Sequence, residues 1–333
     1  SSLNHLSDIT MDDRFSASVG LTQEELESNF EARIVALATH LKMSENELKA
    51  EIQTWYNGFC FSKRGQPVYN PFSILSLFEK MDFRNYWFET GTPTFLVDLI
   101  QQKEYELPEI ENLKVDELAF SSYDIEKLNI VPLLVQTGYL TIKGIEPGEL
   151  EPLYRLYYPN YEVENAFLKV LLASFSHFPN SQASNYLSQL VRALRKKDLK
   201  RFFAVLEVFF ANIPYSIQIK TEKYYHSIFY MIFKLIGLSI TAEVETNQGR
   251  IDAVIELRER VVIFEFKLDG SASKALQQAQ KTKYYQKYQY SGREVELVGV
   301  NFDSKKRTVD SFLSKTIHQP QLKNLMAALE ERT

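Results

Sequence analysis

Gly249-Arg250-Ile251-Asp252-Ala253-Val254-Ile255-Glu256-Leu257, the charged break Arg258-Glu259-Arg260, and Val261-Val262-Ile263-Phe264-Glu265-Phe266-Lys267 form the stretch whose reading decides the fold. Both flanks are rich in β-branched and aromatic residues, so each reads as a strand, and the charged triplet reads as the turn of an antiparallel hairpin. Alternate side chains of a strand share a face, so Glu265 and Lys267 project together while Phe264 and Phe266 point the other way, toward a core. Asp252 lies beside that pair if the hairpin register allows it. Two hard carboxylate oxygens facing one gap suit an octahedral ion such as Mg²⁺.

Working outward, the spacing predicts a helix over Glu222–Leu238, strands over Ser239–Thr246, Arg250–Leu257 and Val261–Lys267, a helix over Ser273–Tyr288 and a strand over Glu294–Phe302. That order makes an α/β sandwich in which the last helix is a crossover. Ala272, Ala275, Leu276 and Ala279 form one apolar stripe of that helix, leaving Lys274, Gln278 and Lys281 on another face, where they suit a phosphate backbone. An Asp followed 13 residues later by Glu-x-Lys arises easily by chance, and a Glu-Lys pair on a strand is commonly a solvated edge. Here, however, Glu265 and Lys267 are embedded in an apolar strand, where unpaired charge is expensive. The bland alternative is an ion pair, Glu265 with Lys267 or Asp252 with Lys267, in a core without chemistry.

At Asp252 and Glu265-Phe266-Lys267 the sequence resembles the PD-(D/E)XK nuclease superfamily. The helix carrying Glu222 and Tyr225-His226, and the Ala275-Leu276-Gln277-Gln278 helix, resemble that superfamily's first and last core helices. The resemblance implies Mg²⁺- or Mn²⁺-dependent hydrolysis of phosphodiester bonds in nucleic acid, foremost DNA. Asp252 and Glu265 are then the metal ligands and Lys267 orients or helps deprotonate the attacking water. The Phe266 carbonyl is a candidate third ligand, and Glu222 an outer or second-metal carboxylate, although an acid at a helix start also simply suits the macrodipole. Gln278 is a candidate to orient the lysine or a phosphate, with Gln280 competing for the role. His226 and Tyr284 are read as packing residues.

A closer resemblance is to bacterial proteins joining an AAA-ATPase-like domain to such a nuclease-like domain. It rests on Leu3-Asn4-His5-Leu6-Ser7-Asp8-Ile9-Thr10, Trp55-Tyr56-Asn57-Gly58, Tyr69-Asn70-Pro71 and Asn85-Tyr86-Trp87-Phe88-Glu89-Thr90-Gly91-Thr92-Pro93-Thr94. It implies three parts: 1–110 as the helical C-terminal portion and lid of the ATPase-like domain, 111–210 as a winged-helix-like and helical linker, and 211–333 as the nuclease-like domain. No Gly-x-x-x-x-Gly-Lys-Ser/Thr loop occurs in the chain, so no ATP site is expected in it, and the chain reads as a fragment of the longer architecture.

In the N-terminal part, Thr22 with Glu25 and Ser44 with Glu47 are capping boxes, predicting helices over Gln23–Leu41 and from Glu45 through Trp55. Phe59-Cys60-Phe61 and Val68-Tyr69 read as short strands, and Pro71 as the first residue of another helix. The dense aromatics Trp55, Tyr56, Tyr69, Tyr86, Trp87 and Phe88 are read as core in preference to a base-stacking platform. A helix over Asp124–Gln136 followed by strands at 138–142 and 153–158 has the shape of a winged helix. Its hairpin carries only Lys143 and Arg155 against Glu146, Glu149 and Glu151 at the tip, which favours a protein-linking role over DNA contact. Helices over 163–175, 185–195 and 199–210 follow.

The chain of 333 residues is 45% hydrophobic and 24% charged, the composition of an ordinary globular protein. A single cysteine, Cys60, excludes an internal disulfide and suits the cytoplasm. The most apolar run, Ile228–Ile240, contains Lys234 and is too short to span a bilayer, so no membrane role is expected; the polar opening at Ser1 carries no signal-peptide pattern. The net charge of -5 hides an asymmetry: residues 206–333 hold 18 Lys+Arg against 15 Asp+Glu, net +3. That surplus favours a polyanionic partner for the C-terminal part. The N-terminal helical region is the candidate surface for protein partners. If the nuclease-like site is inactive, the remaining reading is a nuclease-fold module that binds nucleic acid or protein, attached to an ATPase-like regulator.

Overall fold

The computed structural model describes residues 9, 11–90, 94–102, 110–111, 113–117, 120, 130–213, 222–240, 253–288 and 291–317. The chain divides into two compact units, residues 1–171 and 172–333. The fold is mixed α/β, with a three-stranded sheet in the first unit and a four-stranded sheet in the second.

In the first unit, α1 (Gln23–Leu41) and α2 (Glu45–Tyr56) start where the capping boxes place them. The Thr22 and Ser44 hydroxyls accept from the N3 amides, and Glu25 and Glu47 accept from the cap amides. Asn70 caps α3 (Pro71–Lys80), whose first residue is the proline. Leu26, Ile34, Leu37, Leu48, Ile52, Ile74 and Leu77 bury their apolar faces together with Tyr56, Tyr69 and Tyr86. These three tyrosines are fully enclosed, as the core reading expects, and the Tyr56 hydroxyl donates to the Arg84 carbonyl at 2.9 Å. Burial pushes the Tyr56 phenol far above its ordinary range and that of Tyr69 up to about 12. The two short strands expected near Cys60 reduce to the single bridges Phe59↔Val68 and Leu21↔Tyr69.

Helix α4 (Thr94–Gln102) precedes the segment expected to be winged-helix-like. There β1 (Lys114–Val115), α5 (Ile130–Gln136), β2 (Thr141–Glu146) and β3 (Leu153–Tyr157) give a sheet of order β1-β3-β2, antiparallel throughout. The part of the expected helix before Ile130 lies outside the described residues. The two-residue β1 was not foreseen, because so short a strand carries no periodicity to read. Lys143 stands where the β2-β3 register shifts, and its Nζ donates to the Pro159 carbonyl at 2.6 Å; Arg155 lies across Gly144. Helix α6 (Tyr161–Ser176) follows.

The second unit contains α7 (Asn180–Arg195), α8 (Leu199–Ala211), α9 (Glu222–Ile240), β4 (Ala253–Glu256), β5 (Arg260–Leu268), α10 (Ala272–Thr282), β6 (Glu294–Asp303) and β7 (Thr308–Ile317). The sheet order is β4-β5-β6-β7; β5 and β6 run parallel across the α10 crossover, and the outer pairs are antiparallel. One face of β5 carries Phe264 and Phe266 against helix aromatics: Phe264 lies 5.0 Å from Phe233 and 5.7 Å from Phe202, and Phe266 5.3 Å from Phe229, between ring centroids. On the other face Val261, Ile263, Val295 and Leu297 pack under Ala279, Leu276 and Tyr288. The layers are therefore helix, sheet, helix.

Several boundaries differ from the sequence reading. Arg260 belongs to β5 and is buried, because the turn closes from Leu257 N–H to the Arg260 carbonyl and leaves only Arg258 and Glu259 outside. Its guanidinium donates to the Leu194 carbonyl near the end of α7 and pairs with Glu296 at 3.2 Å. Helix α9 continues through Ser239 and Ile240, which were expected in a strand; the rest of that strand lies outside the described residues. Helix α10 stops at Thr282, where Lys283 takes a left-handed φ of 56°, and a 3₁₀ turn follows over Tyr284–Tyr288. Strand β7 was not foreseen, because its mostly solvated residues blur the period-two pattern.

Candidate functional site

Strand β5 runs from a buried arginine through an apolar middle to two charged residues near its carboxyl end, beside the parallel strand β6. The carboxyl end of parallel strands is where open α/β sheets gather polar function, because the crossover helices leave a crevice there. Glu265 is 2% exposed, and its Oε1 lies 3.7 Å from Lys267 Nζ. That ammonium donates to Gln278 Oε1 at 2.6 Å, so α10 supplies a neutral acceptor that fixes the direction of the lysine. At the strand pair, Glu265 is opposite Gly299 and Lys267 opposite Asn301. A Cβ at Gly299 would stand 2.3 Å from Leu276 N and 2.4 Å from the Ala272 carbonyl, so only glycine lets α10 lie this close to the sheet beside Glu265. Asn301 is buried, and its Oδ1 accepts from the Gly270 amide at 2.8 Å.

β5 is an interior strand of the sheet, and the two charges mark its carboxyl end. Glu265, Lys267 and Gln278 are brought together, and the hydrogen bond to Lys267 decides for Gln278 over Gln280 as the helix partner. Phe266 lies between the two charges in sequence with its ring in the opposite layer, 5.4 Å from Phe233. Glu222 is the first residue of α9. Asp252 lies outside the described residues; the described ladder ends one position later, at Ala253↔Phe264. Among the described residues no three His, Cys, Asp or Glu side chains gather into a metal-binding group. Among the described residues, the buried Glu265 carboxylate supplies hard, anionic oxygen of the kind that Mg²⁺ or Mn²⁺ takes as ligand. Gly299 and Asn301 escaped the sequence reading. The only signal for them is a glycine and an amide interrupting Val295–Phe302, which is weak without knowing what packs there.

Helix, strand hairpin, crossover helix and parallel strand, with Glu-x-Lys at the carboxyl end of the central strand, have a counterpart among known protein families. Residues 220–312 match the PD-(D/E)XK nuclease superfamily. The four-stranded mixed sheet is consistent with the core of that superfamily. Over nearly its whole length the chain also resembles a protein of Azotobacter chroococcum mcd 1 named "Uncharacterized protein in vnfD 5'region". The two are 35% identical over 324 residues, covering 95% of this chain and 60% of that protein. The chain thus spans less than two thirds of the relative's length. No solved structure matches it. No helix among the described residues is long and apolar enough to cross a membrane.

Proposed function

We propose that the nuclease-like segment hydrolyses phosphodiester bonds of nucleic acid, foremost DNA, with Mg²⁺ or Mn²⁺ held by Glu265 and Asp252. The observation that carries this reading is the buried Glu265 at the carboxyl end of β5 beside Lys267, whose ammonium is aimed by Gln278. Asp252 directly precedes Ala253 in sequence, and Ala253 is paired with Phe264, the neighbour of Glu265; this adjacency supports the two as joint ligands. A bound divalent ion supplies Lewis-acid stabilisation of the phosphate and a more acidic water. Phe266 contributes its carbonyl as a further ligand, and Glu222 an outer carboxylate. Lys267 orients the attacking water and offsets charge developing on the phosphate, while Gln278 keeps the ammonium from collapsing fully onto Glu265. Exposed Lys274 and Lys281 on α10 hold flanking phosphates.

In the same reading residues 1–110 are the C-terminal portion and lid of an AAA-ATPase-like domain offering protein contacts, 111–210 a linker, and 211–333 the nuclease domain of a cytoplasmic bacterial protein. Without a phosphate-binding loop in the sequence, this chain is expected not to bind ATP. The Glu265–Lys267 ion pair also favours a second reading, a nuclease fold that binds nucleic acid or protein without catalysis. Titration with Mg²⁺ and Mn²⁺ over single- and double-stranded DNA and RNA separates the two. Cleavage by the wild type is expected, with Glu265→Gln losing both ion affinity and cleavage. Lys267→Met is expected to keep ion affinity while cleavage falls about 100-fold or more. A wild type that binds no divalent ion gives the second reading. Cleavage undiminished in Lys267→Met makes the lysine a structural charge.

A further inference from the structure

The turn that carries the chain from β5 into α10 is stitched to the end of β6 by four hydrogen bonds. The Asp269 amide donates to the Phe302 carbonyl at 2.9 Å and the Gly270 amide to Asn301 Oδ1 at 2.8 Å. In return the Asp269 carboxylate accepts from the Ser304 amide at 2.8 Å and the Ser304 hydroxyl at 2.6 Å. Ser304 opens the tip of the β6-β7 hairpin. Asp269 itself holds a left-handed φ of 51°, a conformation that few L residues take and that aspartate tolerates better than most. The turn then folds back on the lysine: a Cβ at Gly270 would be 3.1 Å from Lys267 Cβ and 3.6 Å from its Cγ. The stem of Lys267 is thereby held between this turn and its hydrogen bond to Gln278.

We propose that Asp269 is a positioning residue for Lys267, latching the β5-α10 turn to the hairpin tip through Ser304 so that the turn fixes where the lysine ammonium stands. The role of Lys267 in chemistry rests on the function proposed above; the latch itself does not. A hydroxyl and a carboxylate are both needed, because the carboxylate accepts from the amide and the hydroxyl of one residue and a side-chain amide cannot accept with both of its ends. The Ser304 hydroxyl and the Lys305 charge hold the Asp269 carboxyl below its ordinary range, which keeps the latch charged and closed near neutral pH.

The test compares the intact chain with Ser304→Ala, Asp269→Asn and the conservative Ser304→Thr. Hydrogen exchange at the Asp269 and Gly270 amides reads the turn. Acylation of lysine side chains by an N-hydroxysuccinimide ester, followed peptide by peptide, reads the ammonium, with exposed Lys274 as internal reference. In Ser304→Ala and Asp269→Asn the turn amides are expected to exchange faster and Lys267 to acylate several-fold faster, with Lys274 unchanged and Ser304→Thr like the wild type. Where the wild type cleaves, these two variants should lose about tenfold in kcat with KM unchanged. Turn amides that do not respond, or faster turn exchange with Lys267 acylation unchanged, overturns the latch. A shifted Lys267 in a protein that cleaves nothing leaves the latch standing and removes the nuclease reading instead.

Discussion

In the first unit α1 begins where Thr22 and Glu25, three residues apart, exchange hydrogen bonds. In the second unit the buried Arg260 is held by Glu296 and Leu194, 36 and 66 residues away. The contrast extends beyond these residues. Helices α1 to α3 are each bounded by caps within a few residues, whereas β5 takes its place only when β4, β6 and the aromatic helices are present. Local ends tell the chain where an element starts; long-range partners decide what that element is for. The candidate site, with Glu265, Lys267, Gln278, Gly299 and Asn301 drawn from three elements, belongs wholly to the second kind.

The contrast is exposed most sharply by Phe264→Ala, which removes the ring joining β5 to Phe202 and Phe233. It should cost the second unit about 3–5 kcal/mol, read by denaturant unfolding followed through circular dichroism. Trp55 and Trp87, the chain's two tryptophans, both lie in the first unit, so their emission reports that unit alone. If tryptophan emission shifts as far as the circular dichroism, stability in the two units is not separately determined and the comparison breaks. Arg260→Ala leaves Glu296 and the Leu194 carbonyl without this donor and should cost about 3 kcal/mol by the same measurement. A loss below half of that makes the arginine a surface-like contact.

The local side of the comparison predicts smaller effects. Thr22→Ala removes one cap and should cost about 1 kcal/mol, visible in tryptophan emission, with α1 fraying at its first turn by hydrogen exchange. The smallest effect is a pH dependence. The Thr22 amide and hydroxyl hold the Glu25 carboxyl below its ordinary range, and the Ser44 amide and hydroxyl do the same for Glu47. A depressed folded pKa stabilises above the unfolded carboxylate range, about pH 4.3, and that stability is lost as the pH falls through the lower folded value. The difference in melting temperature between the wild type and Glu25→Gln should therefore shrink on acidification below about pH 4. A difference that stays constant to lower pH removes the carboxylate from the cap.

The sequence by itself determined the helix starts at Thr22, Ser44 and Pro71, the apolar strand interrupted by Glu265 and Lys267, and the crossover order of helix and strands. Each of these is written in residues close enough in sequence to be read as a period or a cap. It did not determine that Arg260 is buried or that β7 pairs with β6, because those depend on partners far along the chain. Gln278 and Gln280 are both plausible partners in the text of the helix. Only the angle and depth at which α10 lies on the sheet, made possible by the missing side chain at Gly299, turn Gln278 to Lys267. The same holds for Asn301, Asp269 and Ser304, ordinary polar residues in the sequence that become a stitched turn only when β5 and β6 stand side by side. Periodicity records which face a side chain takes; what it meets across the gap is fixed by packing, which the sequence encodes only through the fold as a whole.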